Sequence, residues 1–176
     1  MIVAICNGNG IGNSNSIPWY SPVDLKHFSK LTKRTNDNGG MNAIIMGRKT
    51  WDSIPRKPLP KRFHIILTKT PKSIDLTDLK YENCIALPTI EEVDNFCLEK
   101  QFSNTWVIGG GSIYQKYLEE KNVTDIHVTK IGNDYDCDVF FPEIPSDFSI
   151  VDKNETIENE NLLEFAEEAK EVQILD

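Results

Sequence analysis

No stretch of this sequence approaches the run of about 20 apolar residues that a membrane-spanning helix needs, so a place in the membrane is not expected. Positive charge is in deficit: 19 Lys and Arg stand against 27 Asp and Glu, a net charge of −8. A field of that sign repels nucleic-acid phosphates and anionic lipid. Neither is expected as a partner, and an anionic ligand would need a local basic pocket. There are 3 histidines and 4 cysteines (Cys6, Cys84, Cys97, Cys137), with no CxxC pair and no Cys/His cluster. That pattern offers neither a metal site nor a redox dithiol, and reads as isolated, reduced thiols of an intracellular protein. Met1 is followed directly by Ile-Val-Ala-Ile-Cys, with no basic start and no cleavage site. This reads as an opening strand rather than a secretory leader, and the expected compartment is the cytoplasm. The sequons at Asn122 and Asn154 are then chance matches.

What is present is ordinary globular material, 176 residues with 39% hydrophobic and 26% charged content, expected to form a single domain over residues 1–176. Ile2–Cys6, Ala43–Met46, Phe63–Leu67, Ile85–Leu87, Thr105–Ile108 and Asp125–Ile131 read as strands. They are rich in Ile and Val, and several lack clean alternation, which suits burial on both faces. Helical patterns lie between them. Ser21-Pro22-Val23-Asp24 opens the first, with a cap, a proline suited to the first turn and an early acid. Thr89-Ile-Glu-Glu92 is a capping box for a helix to about Gln101, and Gly111 to about Lys121 is another. Strand-helix-strand order predicts an α/β fold with a mostly parallel sheet. At the tail, Phe148–Asp152 and Val172–Leu175 read as a final antiparallel hairpin. The acidic, asparagine-rich Asn154–Glu171 between them reads as an exposed loop or short helix.

Glycine marks three places. Gly8, Gly10 and Gly12 follow the first strand but give GxGxG with Asn13 next, so the GxGxxG dinucleotide fingerprint fails. Asn13–Pro18 is turn chemistry, which suits either a mobile loop over a site or a plain surface loop. The other two places are stronger. Ile44-Ile-Met-Gly47-Arg-Lys-Thr50 is a strand, a glycine and a short helix ended by Pro55. Trp106-Val-Ile-Gly109-Gly-Gly-Ser112 is a strand, three glycines and a helix. Each reads as tight packing or as a place where a ligand approaches backbone and an anion meets free N–H groups. Together, at the carboxyl ends of neighbouring strands, they suggest a pyrophosphate-containing cofactor.

Five ordered blocks carry a resemblance. They are Ile11-Gly12 with Ile17-Pro18-Trp19; Asp24-Leu25-Lys26-His27-Phe28; Ile45-Met-Gly47-Arg48-Lys49-Thr50-Trp51-Asp-Ser-Ile54; Pro58-Leu59-Pro60-Lys61-Arg62; and Val107-Ile108-Gly109-Gly110-Gly111-Ser112-Ile113-Tyr114. With Thr129 and Phe140-Phe141-Pro142 downstream, the span from Ile2 to Pro142 resembles the dihydrofolate reductase family. The resemblance implies an eight-stranded, mostly parallel sheet with an antiparallel C-terminal strand and flanking helices. It implies reduction of 7,8-dihydrofolate to tetrahydrofolate by hydride transfer from NADPH, serving one-carbon metabolism and thymidylate synthesis, in a monomer that antifolates inhibit. It implies catalytic roles for Asp24, which faces the pterin, for Thr129, which bonds that carboxylate, and for Trp19 beside it, acting through water. Ile2, Ala4, Leu25, Phe28, Thr50, Ile54, Leu59 and Ile108 match substrate-wall positions, and Arg62 matches the arginine that pairs with the folate α-carboxylate. Ala4, Ile11, Gly47, Arg48, Lys49, Thr50, Thr68, Lys69, Gly109, Gly110, Gly111, Ser112 and Ile113 match the cofactor-binding set.

The chemistry of these residue types fits the roles. A carboxylate buried among apolar side chains has a raised pKa and works near neutrality. A pterin edge, with a ring N–H and an amino group, offers two donors to one carboxylate. Read without the other blocks, Asp24 is a helix-start acid, Arg62 a surface arginine, and Leu25 and Phe28 core. Lys61 stands where the family usually has glycine, which leaves the path of the turn before Arg62 open. Two competing activities remain at this level: a related reductase acting on a pyrimidine intermediate of riboflavin synthesis, and a folate-binding protein without turnover. The Trp19–Asp24 and Leu59–Arg62 blocks argue against the first.

Overall fold

The computed structural model describes residues 1–36, 39–120, 122–158 and 161–170. In chain order its elements are β1 (Ile2–Cys6), β2 (Gly10–Gly12), α1 (Pro22–Lys33), β3 (Asn42–Gly47), α2 (Arg48–Ser53), β4 (Arg62–Leu67), β5 (Cys84–Leu87), α3 (Ile90–Lys100), β6 (Thr105–Gly109), α4 (Gly111–Glu119), β7 (Asp125–Ile131), β8 (Val139–Phe140), β9 (Phe148–Glu158) and β10 (Asn161–Lys170). Apart from β2, a short strand in the glycine-rich segment that reads as loop, the elements through β7 match the strands and helices expected from periodicity and capping, within a residue or two. Among the described residues no helix is long and apolar enough to cross a membrane.

The chain divides into two compact units, Met1–Leu25 with Tyr114–Asp176, and Lys26–Ile113. In the second, β5-β4-β3-β6 form one parallel sheet. Every residue of β3 is buried, as its unbroken apolar run requires. Ile44, Met46, Trp51 and Ile66 form a core against which Ile54, Leu59, Trp106 and Ile108 pack. Thr89 caps α3, its hydroxyl accepting from Glu92 N at 3.1 Å. The buried Asn42 amide donates to Thr32 O at 2.9 Å and Arg34 O at 2.8 Å, satisfying backbone carbonyls at the end of α1.

In the first unit β1-β7-β10-β9 form a mixed sheet. β1 runs parallel to β7, while β10 is antiparallel to both β7 and β9. A separate antiparallel ribbon pairs β2 with β8. The expected eight-stranded, mostly parallel sheet is therefore replaced, among the described residues, by a parallel four-stranded sheet, a mixed four-stranded sheet and a two-stranded ribbon. The physical reason is connectivity. Helical crossovers make parallel neighbours, whereas β9 and β10 follow one another directly and pair antiparallel.

The tail also departs from expectation. Asn154–Glu158 and Asn161–Lys170 are neither loop nor helix but strand, paired with one another, and the expected strand at Val172–Leu175 lies outside the described residues. Cross-strand charge pairs and buried apolar side chains together suit this acidic stretch to a strand. On β10, Glu164 meets Lys130 of β7 at 3.0 Å and Lys153 of β9 at 2.7 Å. Leu163 and Ala166 are buried on the same strand.

The glycine-rich segment after β1 is better anchored than its composition suggests. Asn13 and Ser16 exchange backbone bonds at 2.9 Å across a tight turn. Asn13 Nδ2 donates to Asp136 O at 2.9 Å, and Ser14 N to Asp138 Oδ2 at 3.0 Å. Cys6 and Cys137, far apart in sequence, lie with their sulfurs 3.7 Å apart.

Candidate active site

In the first unit the site is built at the start of α1. Ser21 caps the helix, its hydroxyl accepting from Asp24 N at 3.0 Å. Asp24 then projects from the first turn. Burial raises its pKa above the usual carboxylate range, a hydrogen bond from the Thr129 side chain opposes that, and the negative charge of Glu158 adds to it. Thr129 is buried on β7, between Ala4 of β1 and Phe165 of β10. Ile2 is buried on the same β1, and Leu25, next to Asp24, is 50% exposed, an apolar side chain left open on the helix surface. The Trp19 ring stacks at a tilt on Tyr135, with centroids 5.3 Å apart. Ile11 is half-buried in β2.

In the second unit Arg62 is 4% exposed rather than a surface residue. Its Nε donates to Pro60 O at 3.1 Å, its Nη1 to Thr32 Oγ1 at 2.9 Å, and its guanidinium carbon lies 5.8 Å from the Phe28 ring centroid. Lys61 answers the question left by the sequence. It takes the left-handed conformation, φ 61°, so the turn reaches Arg62 without a glycine. Ile54, Leu59 and Ile108 are partly buried on the core, which leaves part of each exposed.

The two glycine junctions meet in the same unit. A Cβ placed on Gly47 would lie 2.9 Å from Ile113 Cγ1, and one on Gly110 would lie 3.4 Å from Thr50 Oγ1. Gly109 has φ 120°, which side-chain-bearing residues rarely adopt. Arg48, first residue of α2, bonds Asp52 Oδ2 at 2.7 Å through Nε and Ser73 Oγ at 2.9 Å through Nη1. Ser73 Oγ in turn donates to Thr70 O at 2.7 Å, and Thr70 N donates to Thr68 Oγ1 at 3.3 Å. Lys49, Lys69 and Ser112 are exposed. The result is a surface cluster of hydroxyls around one guanidinium, with lysines at hand, a donor set suited to a phosphate.

A sequence profile described as Dihydrofolate reductase matches residues 1–170. The chain belongs to the dihydrofolate reductase family. It is 37% identical over 172 residues to the dihydrofolate reductase of Aedes albopictus, covering 94% of this chain and 92% of that one. The Drosophila melanogaster dihydrofolate reductase is 36% identical over 151 residues, covering 84% and 81%. The Heliothis virescens dihydrofolate reductase is 35% identical over 159 residues, covering 88% and 85%. Membership makes the chain an oxidoreductase that reduces dihydrofolate to tetrahydrofolate with a nicotinamide cofactor.

Within this dihydrofolate reductase fold, Asp24, Trp19, Thr129, Ile2, Ala4, Leu25 and Ile11 belong to the first unit. Phe28, Thr50, Ile54, Leu59, Arg62, Ile108 and the remaining cofactor positions belong to the second. Sequence reasoning missed several partners. Thr32 holds Arg62, and Thr70 and Ser73 complete the Arg48 cluster. Tyr114, buried and donating to Ile2 O at 2.8 Å, feels the Asp24 charge, and together with burial this pushes its phenol far above its ordinary pKa. Glu158 accepts from Ser21 and Val23. Thr70 and Ser73 flank Pro71 just beyond Thr68-Lys69, a local signal that could have found them. Glu158 had none, because it lies 137 residues from Ser21. Among the described residues no group of His, Cys, Asp and Glu is placed to hold a metal ion.

Proposed function

We propose that the hydride donor is NADPH rather than NADH, that Asp24 is the pterin anchor, and that residues 1–176 work as one cytoplasmic, monomeric domain, open to antifolates and without nucleic-acid or membrane partners. The observation that carries the reading is Asp24 itself: a carboxylate with raised proton affinity, in contact with the Thr129 side chain, on a helix turn with no ion-pair partner among the described residues. A partly buried acid left without a cation is costly unless a ligand uses it.

In this reading Asp24 accepts hydrogen bonds from the ring N–H and the amino group on the pterin edge. Its negative charge raises the basicity of the ring, so a water molecule can deliver a proton to N5. Thr129 fixes the orientation of the carboxylate, and Trp19 helps hold the water. Arg62, its plane set by Pro60 and Thr32, presents its remaining edge to the α-carboxylate of the glutamate tail. Ile2, Ala4 and Leu25 of the first unit, and Phe28, Thr50, Ile54, Leu59 and Ile108 of the second, are the positions each unit would offer to the substrate. A bound nicotinamide would supply hydride chemistry, with pterin C6 as the acceptor. Gly47, Lys49, Thr50 and Gly109 to Ile113 would hold the dinucleotide, at two junctions whose glycines let them pack closely, since a side chain at Gly47 or Gly110 would crowd Ile113 or Thr50. Ala4 and Ile11 would add apolar surface for the cofactor. Arg48, Thr68 and Lys69 fit a 2′-phosphate, with Thr70 and Ser73 ordering the arginine.

An absorbance assay at 340 nm with dihydrofolate, run with NADPH and with NADH, tests the proposal. Turnover with marked preference for NADPH is expected. Turnover only with a pyrimidine substrate, or folate binding without turnover, would replace this reading by the corresponding alternative.

A further inference from the structure

β9 ends beside the catalytic helix start. Glu158, its last residue, accepts from Ser21 Oγ at 2.5 Å through Oε2 and from Val23 N at 3.1 Å through Oε1. Ser21 Oγ at the same time accepts from Asp24 N at 3.0 Å. One carboxylate thus grips the cap residue and a first-turn amide of α1, and the cap residue grips the backbone of Asp24. Simple capping needs only Ser21. The second acid adds a tie from the C-terminal hairpin, and sets a negative charge next to a carboxylate that is already disfavoured by burial.

We propose that Glu158 is a positioning residue for the reduction: by holding the Ser21 hydroxyl and the Val23 amide it fixes the turn from which Asp24 projects, and it brings a second negative charge to that turn. This rests on the reading of Asp24 as pterin anchor. The groups facing Asp24 are few. Thr129 of β7 bonds it, Tyr114 of α4 lies within its field, Glu158 comes from β9, and on α1 itself Lys26 and His27 follow within one turn. Of these, Glu158 is the one acid. The geometry has a consequence for sequence tolerance as well: Asp at position 158 keeps the charge with a shorter reach, whereas Gln keeps the reach without the charge.

The test is a carboxyl-carbon NMR titration of Asp24 in the full chain, its resonance assigned by its absence in Asp24→Asn. Glu158→Gln and Glu158→Asp are compared with wild type, alongside turnover from pH 5 to 9. Glu158→Gln is expected to move the Asp24 midpoint to lower pH and to move the pH profile of turnover with it. Glu158→Asp is expected to restore the midpoint toward wild type. A midpoint unchanged in both variants, whatever happens to their melting temperatures, would show that Glu158 is only a helix clamp and would overturn the proposal. Failure of the underlying reading looks different: Asp24→Asn itself would turn over normally.

Discussion

Arg62 and Thr32 are joined by a buried hydrogen bond, Nη1 to Oγ1 at 2.9 Å, while the Thr32 hydroxyl donates its own proton to Phe28 O at 2.7 Å. The threonine can play both parts because a hydroxyl is one donor with two lone pairs. The bond ties the strand after the Pro-Leu-Pro turn to α1 and sets the plane of the guanidinium.

Arg62→Ala should therefore have two separable effects. Loss of a charge-assisted grip on the α-carboxylate should raise KM for dihydrofolate by about 10- to 100-fold, with NADPH affinity nearly unchanged. Stability should fall by about 1–3 kcal/mol, because Thr32 and Pro60 lose a buried partner. Steady-state kinetics and a denaturant titration measure the two. A variant that loses stability but binds dihydrofolate normally would remove Arg62 from the substrate site.

Asp24→Asn should lower turnover at pH 7 by about 10²–10⁴-fold while leaving NADPH binding intact. The amide has no charge to favour a protonated pterin, and it presents donors to an edge that also donates. The defect should shrink at low pH, where solvent protonates more substrate. Linkage gives the stability sign. The folded-state pKa of Asp24 is raised, so its contribution is most favourable at low pH. That contribution is lost as pH rises from the unfolded value of about 3.9 through the folded one. At neutral pH the asparagine variant should melt no lower than wild type. A lower melting temperature with near-normal turnover would reduce Asp24 to a helix-start acid.

Arg48→Ala should erode the preference for NADPH over NADH by roughly 10- to 100-fold in kcat/KM, the value of one charge-assisted bond of about 1.5–3 kcal/mol. The bonds from Arg48 to Asp52 and Ser73 hold its guanidinium in place. Ser73→Ala should accordingly show a smaller loss in the same direction. An unchanged cofactor ratio in Arg48→Ala would place the phosphate elsewhere.

His64 predicts an acid limb to stability. It is fully buried, its Nε2 accepts from Leu59 N at 2.9 Å, and burial together with the Arg62 charge lowers its pKa to about 4. The unfolded chain takes up this proton near pH 6.5 and the folded chain does not. Stability should fall from about pH 6.5 down to about pH 4, by up to about 2–3 kcal/mol, and then level off as far as this group is concerned. Urea titrations at pH 7 and pH 5 on wild type and His64→Gln check it, with a smaller difference between the two pH values expected in the variant. Equal differences in both proteins would show that His64 does not govern this limb.

Sequence alone carried the parallel half of the fold, the capped helices and the family, and it singled out Asp24, Arg62, Arg48 and the two glycine junctions as candidates. These are local or ordered signals: apolar runs, caps three residues from their partners, and glycines where strand gives way to helix. What tertiary structure decided lies in pairs distant along the chain. Asn154–Glu171 reads by composition as an exposed loop or short helix, yet Asn154–Glu158 and Asn161–Lys170 are strand, where Lys130 and Lys153 flank Glu164 across the sheet and Leu163 and Ala166 are buried. Cys6 and Cys137 look isolated until the fold brings their sulfurs together. Lys61 adopts a conformation that its residue type disfavours, in the turn that leads to the buried, double-bonded Arg62. Glu158 reaches Ser21 from 137 residues away. Periodicity and capping are set by neighbours within a turn or two. Strand register and burial are set by which surfaces finally meet, and so the partners that aim and tune each site residue emerged only in three dimensions.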